Sequence, residues 1–141
     1  MLPLPTDLPE PELSRNTAVV LQKRYQRKHP AGSLMETPRD LFWRVAAAIA
    51  AQEAAYRSAY APEALAREFY SLMTSWKFLP NSPTLMNAGT DLGQLSACFV
   101  LPVGDSIEEI FDAVKYAAMI HKSGGGTGFS FSRLRPRDSR V

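Results

Sequence analysis

The residues with chemical potential in this chain are one thiol, a run of glycines and a cluster of guanidinium groups. Glycine fills four of the five positions in Gly124-Gly125-Gly126-Thr127-Gly128, a density that lets a ligand lie against bare backbone. A helix C-cap and turn would account for one or two of these glycines. The run is not a phosphate loop, because Lys122 precedes the glycines and no Gly-Lys-Ser/Thr ends them. It is not the dinucleotide fingerprint either, since Phe129 stands where the third glycine belongs. Cys98, the only cysteine, lies among Ala97, Phe99 and Val100 and reads either as a small buried core residue or as a reactive thiol on a strand. It has no partner for an internal disulfide, and no His/Cys cluster offers zinc-like spacing, so no structural metal site is expected. Arg133, Arg135, Arg137 and Arg140 form either a solvated polar end or a cradle for an anion.

These groups need elements to hold them. Pro3, Pro5, Pro9 and Pro11 keep the first dozen residues extended, and Ser14 then caps a helix to Lys28 with Ala18, Leu21 and Tyr25 at helical spacing. His29-Pro30-Ala31-Gly32 ends it. Thr37-Pro38-Arg39-Asp40 supplies a cap, a proline at the first helical position and an acid near the positive end of a second helix. Its apolar stripe is Leu41, Phe42, Val45, Ala48 and Ile49. A third helix starts at Ala61-Pro62, with Leu65, Phe69, Leu72 and Trp76 as its core stripe. From Leu79 onward, Pro80, Asn81, Ser82, Pro83, Asn87, Gly89 and Gly93 read as a long irregular connection. Leu95 to Leu101 reads as a buried strand ended by Pro102. Gly104-Asp105-Ser106 opens a helix, with Asp105 a candidate cap and Ile107, Ile110, Phe111, Val114 and Ala118 as its apolar face. Ser123-Gly124 stops that helix, and Gly128 to Leu134 reads as a second strand with Phe129 and Phe131 on one face. Strand, helix, strand over so short a span is a parallel crossover, which seldom stands alone. Two strands leave an apolar face and edges without cover, so the sequence points to part of a larger α/β domain.

The length of 141 residues fits one domain, and 45% hydrophobic with 21% charged residues is the balance of a globular chain with a core. A net charge of +2 is too small to argue for a nucleic-acid surface. No signal peptide is read at the proline-rich and acidic N-terminus. The most apolar window, Val45 to Ala51, is far short of the roughly 20 residues of a membrane span. A reducing cytoplasm is the expected compartment.

Two stretches, FLPNSPTLMNAGTDLGQLSACFVLP from Phe78 and DSIEEIFDAVKYAAMIHKSGGGTGFSFSRLRP from Asp105, resemble the large catalytic chain of ribonucleotide reductase, most closely its adenosylcobalamin-dependent class. The resemblance is weaker from Leu13 to Trp76 and strong from Phe78 to Arg137. It implies a mainly α N-terminal helical domain over residues 1–78, followed over 79–141 by the first β-α-β crossover of a ten-stranded α/β barrel, incomplete here. It also implies that Cys98 reduces the substrate and is oxidised to a disulfide with a second cysteine on a later strand. Thr84, Ala97, Cys98 and Gly126 match substrate-contacting positions, whereas Asp105, Ser106, Ile107 and Arg135 match positions that receive a deoxynucleotide triphosphate effector. In the family a thiyl radical on a finger loop removes the 3′ hydrogen and the 2′ hydroxyl leaves as water. That finger is outside this sequence.

By the same resemblance the complete enzyme uses adenosylcobalamin, a ribonucleotide substrate and an external, thioredoxin-like dithiol, and it dimerises through helices equivalent to 106–122. The chain is then an N-terminal piece, through truncation, a split gene or an interrupted reading frame at Val141, and inactive by itself. The competing reading is a non-catalytic helical nucleotide-binding or partner-docking module that keeps the effector helix and has lost the enzyme.

Overall fold

A computed structural model describes residues 2–56 and 59–140, so Val141 lies outside the described residues. The chain forms two compact units, Met1–Leu95 and Ser96–Val141. Residues 79–95, assigned with the barrel by the sequence, fold within the helical unit.

Helix α1, Arg15–Val20, begins where Ser14 Oγ accepts the Thr17 N–H at 3.1 Å. It widens into a π-helical turn, Leu21–Tyr25, instead of continuing to Lys28. Gln26 leaves the helical conformation there, and its side-chain amide donates to the Glu36 carbonyl at 2.6 Å. The break over residues 29–32 is a turn closed by a Lys28–Leu34 antiparallel bridge, with Gly32 at φ +88°.

Helix α2, Pro38–Ala50, has a reciprocal capping box. Thr37 Oγ1 accepts the Asp40 N–H at 3.2 Å, and Asp40 Oδ2 accepts the Thr37 N–H at 2.8 Å. This helix is buried on nearly every side, from Leu41 through Ala47 and again at Ala50, rather than along one stripe. Its alanines make that packing feasible, because small side chains let neighbouring backbones close in on all faces.

Helix α3, Pro62–Thr74, packs against α2 with Trp43 edge-on to Tyr70 at 6.4 Å between ring centroids. Its fully buried residues are Ala66, Tyr70 and Met73, one position on from the predicted stripe, while Leu65, Phe69 and Leu72 are half-buried and Trp76 is exposed. The rotation has a physical cause in the N-terminal arm. Trp43 Nε1, Tyr70 Oη and Trp76 Nε1 donate to the carbonyls of Leu2, Pro9 and Glu12 at 3.3, 2.6 and 3.3 Å. The proline-rich arm therefore lies as a strap across the helices, and it brings Leu8 into the core. Burial pushes the Tyr70 phenol up to about 12. Arg67 grips Asp7 through two bonds of 3.0 Å and holds its carboxyl below the usual range.

The predicted irregular connection contains a further helix, α4, Ser82–Asn87. Asn81 Oδ1 accepts the Thr84 N–H at 2.9 Å and Pro83 occupies the first turn, so these residues are a helix start.

Candidate functional site

In the second unit, β1 (Cys98–Pro102) and β2 (Gly126–Ser130) pair in parallel, joined by helix α5, Ile107–Lys122. The crossover expected from sequence is present, with both strands displaced. β1 starts at Cys98 because Leu95 belongs to the helical core, where its carbonyl accepts from Asn81 Nδ2 at 3.0 Å and Thr84 Oγ1 at 3.3 Å. β2 starts at Gly126, whose N–H donates to the Ala97 carbonyl at 2.7 Å. Beyond Ser130 the chain leaves the pairing, so Phe131 stacks beside Phe129 at 6.2 Å without being in the strand.

Cys98 is the register partner of Gly126. Ala97, Cys98 and Gly126 therefore converge at the N-terminal end of the two strands. The thiol is exposed, which overturns the reading of Cys98 as a buried core residue in mid-strand. Gly124, at φ +87°, ends α5 as a left-handed C-cap, with its N–H on the His121 carbonyl at 3.0 Å. No such constraint applies at Gly126 or Gly128. A methyl group added at Gly126 would meet only the Ala97 carbonyl at 3.6 Å, and one at Gly128 would meet nothing within 4 Å. Packing thus leaves the backbone beside the thiol bare. His121 Nε2 and Thr127 Oγ1, 2.8 Å apart, tie the last turn of α5 to β2 next to Gly126.

At the opposite end of the strands stand Asp105, Ser106, Ile107 and Arg135. The strand rise puts about 13 Å between Cys98 and Pro102, the two ends of β1. Ser106, not Asp105, caps α5: its Oγ accepts the Glu109 N–H at 3.1 Å and donates to Glu109 Oε2 at 2.9 Å. The Glu109 carboxylate closes over Gly104, where a side chain would overlap it. Asp105 is left to bind Arg135, whose Nε donates to Oδ2 at 2.7 Å and whose Nη2 donates to the Asp105 carbonyl at 3.0 Å. Arg135 is consequently an anchored guanidinium rather than a loose surface charge, with Nη1 also on the Arg140 carbonyl at 2.8 Å.

The predicted apolar face of α5 is not its buried face. Ala113 and Ala117 are buried, whereas Ile107, Phe111 and Val114 are 74%, 66% and 57% exposed. Thr84 lies in the helical unit, within α4 and on the wall of an apolar cavity of about 240 Å³ formed with Val45, Ile49, Phe69, Leu72 and Phe78. Among the described residues no group of three or more His, Cys, Asp or Glu side chains is placed to hold a metal ion, and no helix is long and apolar enough to cross a membrane.

Residues 11–93 match the family model "Ribonucleotide reductase, all-alpha domain", and residues 96–141 match "Ribonucleotide reductase, barrel domain". The chain belongs to the ribonucleotide reductase family. A vitamin B12-dependent ribonucleoside-diphosphate reductase of Thermoplasma acidophilum is 43% identical to it over 92% of this chain and 24% of that protein. A protein of the same description from Mycobacterium tuberculosis is 44% identical over 94% of the chain and 19% of its own length. The ribonucleoside-diphosphate reductase subunit alpha of Helicobacter pylori is 36% identical over 86% of the chain and 15% of its own length. The chain thus spans a quarter or less of the relatives it matches. The fold is a reductase helical domain followed by the start of the barrel domain, and the two family models meet at the same place as the two compact units. Lys115, His121 and Lys122 read from sequence as basic groups toward the negative end of α5, and the bond of His121 to Thr127 is what the structure adds; no pattern in the sequence marks Arg44 of α2 as buried.

Proposed function

We propose that this chain is the N-terminal part of a ribonucleotide reductase that converts ribonucleoside diphosphates to deoxyribonucleotides, with Cys98 as one of its two reducing thiols. The observation that carries the reading is the pairing of an exposed thiol with the bare backbone of Gly126. A sugar held there lies over Cys98 and Gly126, with Ala97 beside it; Thr84, in the helical unit, is a substrate contact on the strength of the resemblance. The electrons balance: Cys98 and a second cysteine beyond this chain give up two electrons and two protons to form a disulfide, the ribose C2′–O bond breaks, one proton leaves with the hydroxyl as water and the other, with the two electrons, forms the new C2′–H bond. An external, thioredoxin-like dithiol restores the pair by exchange, which suits a reducing cytoplasm.

The vitamin B12 dependence named for two relatives supports adenosylcobalamin as the cofactor of the complete enzyme. When bound, that cofactor supplies the initiating radical. No residue of this chain is assigned to it: the cavity of about 240 Å³ in the helical unit is lined almost wholly by apolar side chains, which offer no set of polar partners for its nucleoside or corrin side chains. The test is deoxynucleotide formation by the complete protein given ribonucleoside diphosphate, adenosylcobalamin and dithiol. Product is expected from the whole and none from this chain alone; sustained product from this chain alone would refute its place as one part of the site.

Asp105, Ser106, Ile107 and Arg135 form the proposed effector end. Asp105 and the Arg140 carbonyl hold the Arg135 guanidinium in place, and its remaining N–H donors are available to a triphosphate. The aspartate suits a ribose hydroxyl. The exposed face of Ile107, Phe111 and Val114 suits a second copy of the enzyme in a homodimer. In the complete enzyme Asp105→Ala is expected to weaken deoxynucleotide triphosphate binding roughly tenfold or more, since a hydrogen bond to a charged group is worth about 1.5–3 kcal/mol. Calorimetric titration measures this directly, and an unchanged dissociation constant removes Asp105 from the effector site.

A further inference from the structure

Arg44 and Glu36 are the buried ion pair of the helical unit, their side chains 5% and 7% exposed. Arg44 Nε and Nη2 meet the two Glu36 carboxylate oxygens at 2.9 Å each, while Nη1 donates to the Ala88 carbonyl at 2.6 Å and Nη2 to the Leu85 carbonyl at 3.2 Å. Those two carbonyls stand at the C-terminal end of α4. Glu36 Oε1 also accepts the Arg27 N–H at 2.8 Å, so the carboxylate is itself fixed from a second direction. At its other end α4 is held by the Asn81 cap and by the 2.9 Å bond between Tyr25 Oη and Ser82 Oγ.

Stability alone does not call for this arrangement. Desolvating a buried ion pair costs about as much as the attraction returns, and apolar side chains of similar volume often serve a core equally well. What a guanidinium supplies and a hydrocarbon does not is direction. Its rigid fork of donors fixes two carbonyls and one carboxylate at once.

We propose that Arg44, oriented by Glu36, is a positioning residue that sets the placement of α4 and so of Thr84 for binding the ribonucleotide. The proposal rests on the reading of Thr84 as a substrate contact. Asn87 Nδ2 on the Gln94 carbonyl at 2.9 Å and Thr90 Oγ1 on the Asn87 carbonyl at 2.8 Å hold this end of α4 to the loop that follows it, and loss of the fork removes the hydrogen bonds that tie it to α2. A small displacement of a substrate-holding group is enough to cost binding.

The test uses the full-length reductase that carries this chain. Arg44→Lys keeps the buried positive charge opposite Glu36 and loses the fork. The double substitution Glu36→Leu with Arg44→Met removes both charges and restores an apolar core. In both, KM for the ribonucleotide is expected to rise by about tenfold or more with kcat changed less than about twofold, while the double variant melts close to the parent. A merely structural pair gives the opposite pattern, with KM returning to the parental value in the double variant as its stability recovers, and that result overturns the proposal. If the double variant does not fold, Arg44→Lys decides alone, and an unchanged KM there overturns it. Thr84→Val separates this proposal from the reading beneath it. An unchanged KM in Thr84→Val removes Thr84 from the substrate site and the positioning role with it, whereas a raised KM there, beside parental values in both other variants, overturns the positioning role alone.

Discussion

Cys98→Ser in the complete enzyme is expected to fold, to bind substrate and effector, and to fall to background in multiple-turnover reduction with dithiol present. The substitution nearly conserves volume, so only a modest loss of stability is expected from it. The chemical difference is large by comparison. An alcohol nearly matches the thiol in volume but forms no disulfide, so the two electrons that reduce the sugar have no source. Hydrogen abstraction by a radical carried elsewhere in the protein is untouched, and the variant is expected to release base from damaged substrate. The measurements are deoxynucleotide yield per active site and a thiol count before and after one turnover. The parent loses a pair of thiols and the variant loses none. Normal turnover by Cys98→Ser would falsify the assignment of Cys98 and the alignment of the active site built around it.

How far the site can be read from sequence depends on whether its groups are fixed by local or by distant structure. At Gly126 and Gly128 the glycine run leaves backbone with room for a side chain, while Gly124 is required by its positive φ and Gly125 is buried. The exposure of Cys98 is not legible, since it depends on where β1 begins, and that is decided by Leu95 being drawn into another core. A thiol flanked by Ala97, Phe99 and Val100 looks buried until that start is known. Asp105 and Ser106 are adjacent and both can cap a helix, so only geometry tells which does; Ser106 takes the role and leaves Asp105 free for Arg135, thirty positions on.

The same distinction runs through the fold. Ser14 and Thr37-Pro38 start their helices as the sequence predicts, because a cap is settled within four residues. α4 was hidden by composition: Asn81, Ser82 and Pro83 favour loops and helix starts alike, and six residues are too few to show a period. The face of α3 turned by one residue because an arm sixty positions away, not the helix pattern, supplies the acceptor for Tyr70. On α5 the long apolar residues Ile107, Phe111 and Val114 are exposed and the alanines Ala113 and Ala117 are buried, with two strands among the described residues of this unit. An apolar stripe identifies a face to be covered without saying that this chain covers it.

Glu36→Ala is expected to be the most destabilising single change in the helical unit, at about 3–5 kcal/mol, because it strands a buried guanidinium without its counter-charge. Arg44 has a side chain only 5% exposed, on the same helix as the buried Leu41, Phe42 and Val45. The substitution removes both bonds to the carboxylate and releases the Arg27 N–H, which closes the turn ahead of α2. Loss is therefore expected to reach the 27–36 turn and α4 together, since Glu36 and Arg44 are the residues that join them. Hydrogen exchange in the complete protein measures this, with protection falling first at the amides of α4 and of residues 27–35. Glu36→Gln removes the same counter-charge but keeps the side-chain volume and one acceptor, so its loss against the parent reports the charge and the difference between the two variants reports the packing and the remaining hydrogen bond. If Glu36→Ala unfolds at the same urea concentration as the parent, with α4 still protected, the guanidinium has found water or another acceptor, and the pair is not what holds α4 to the helical unit.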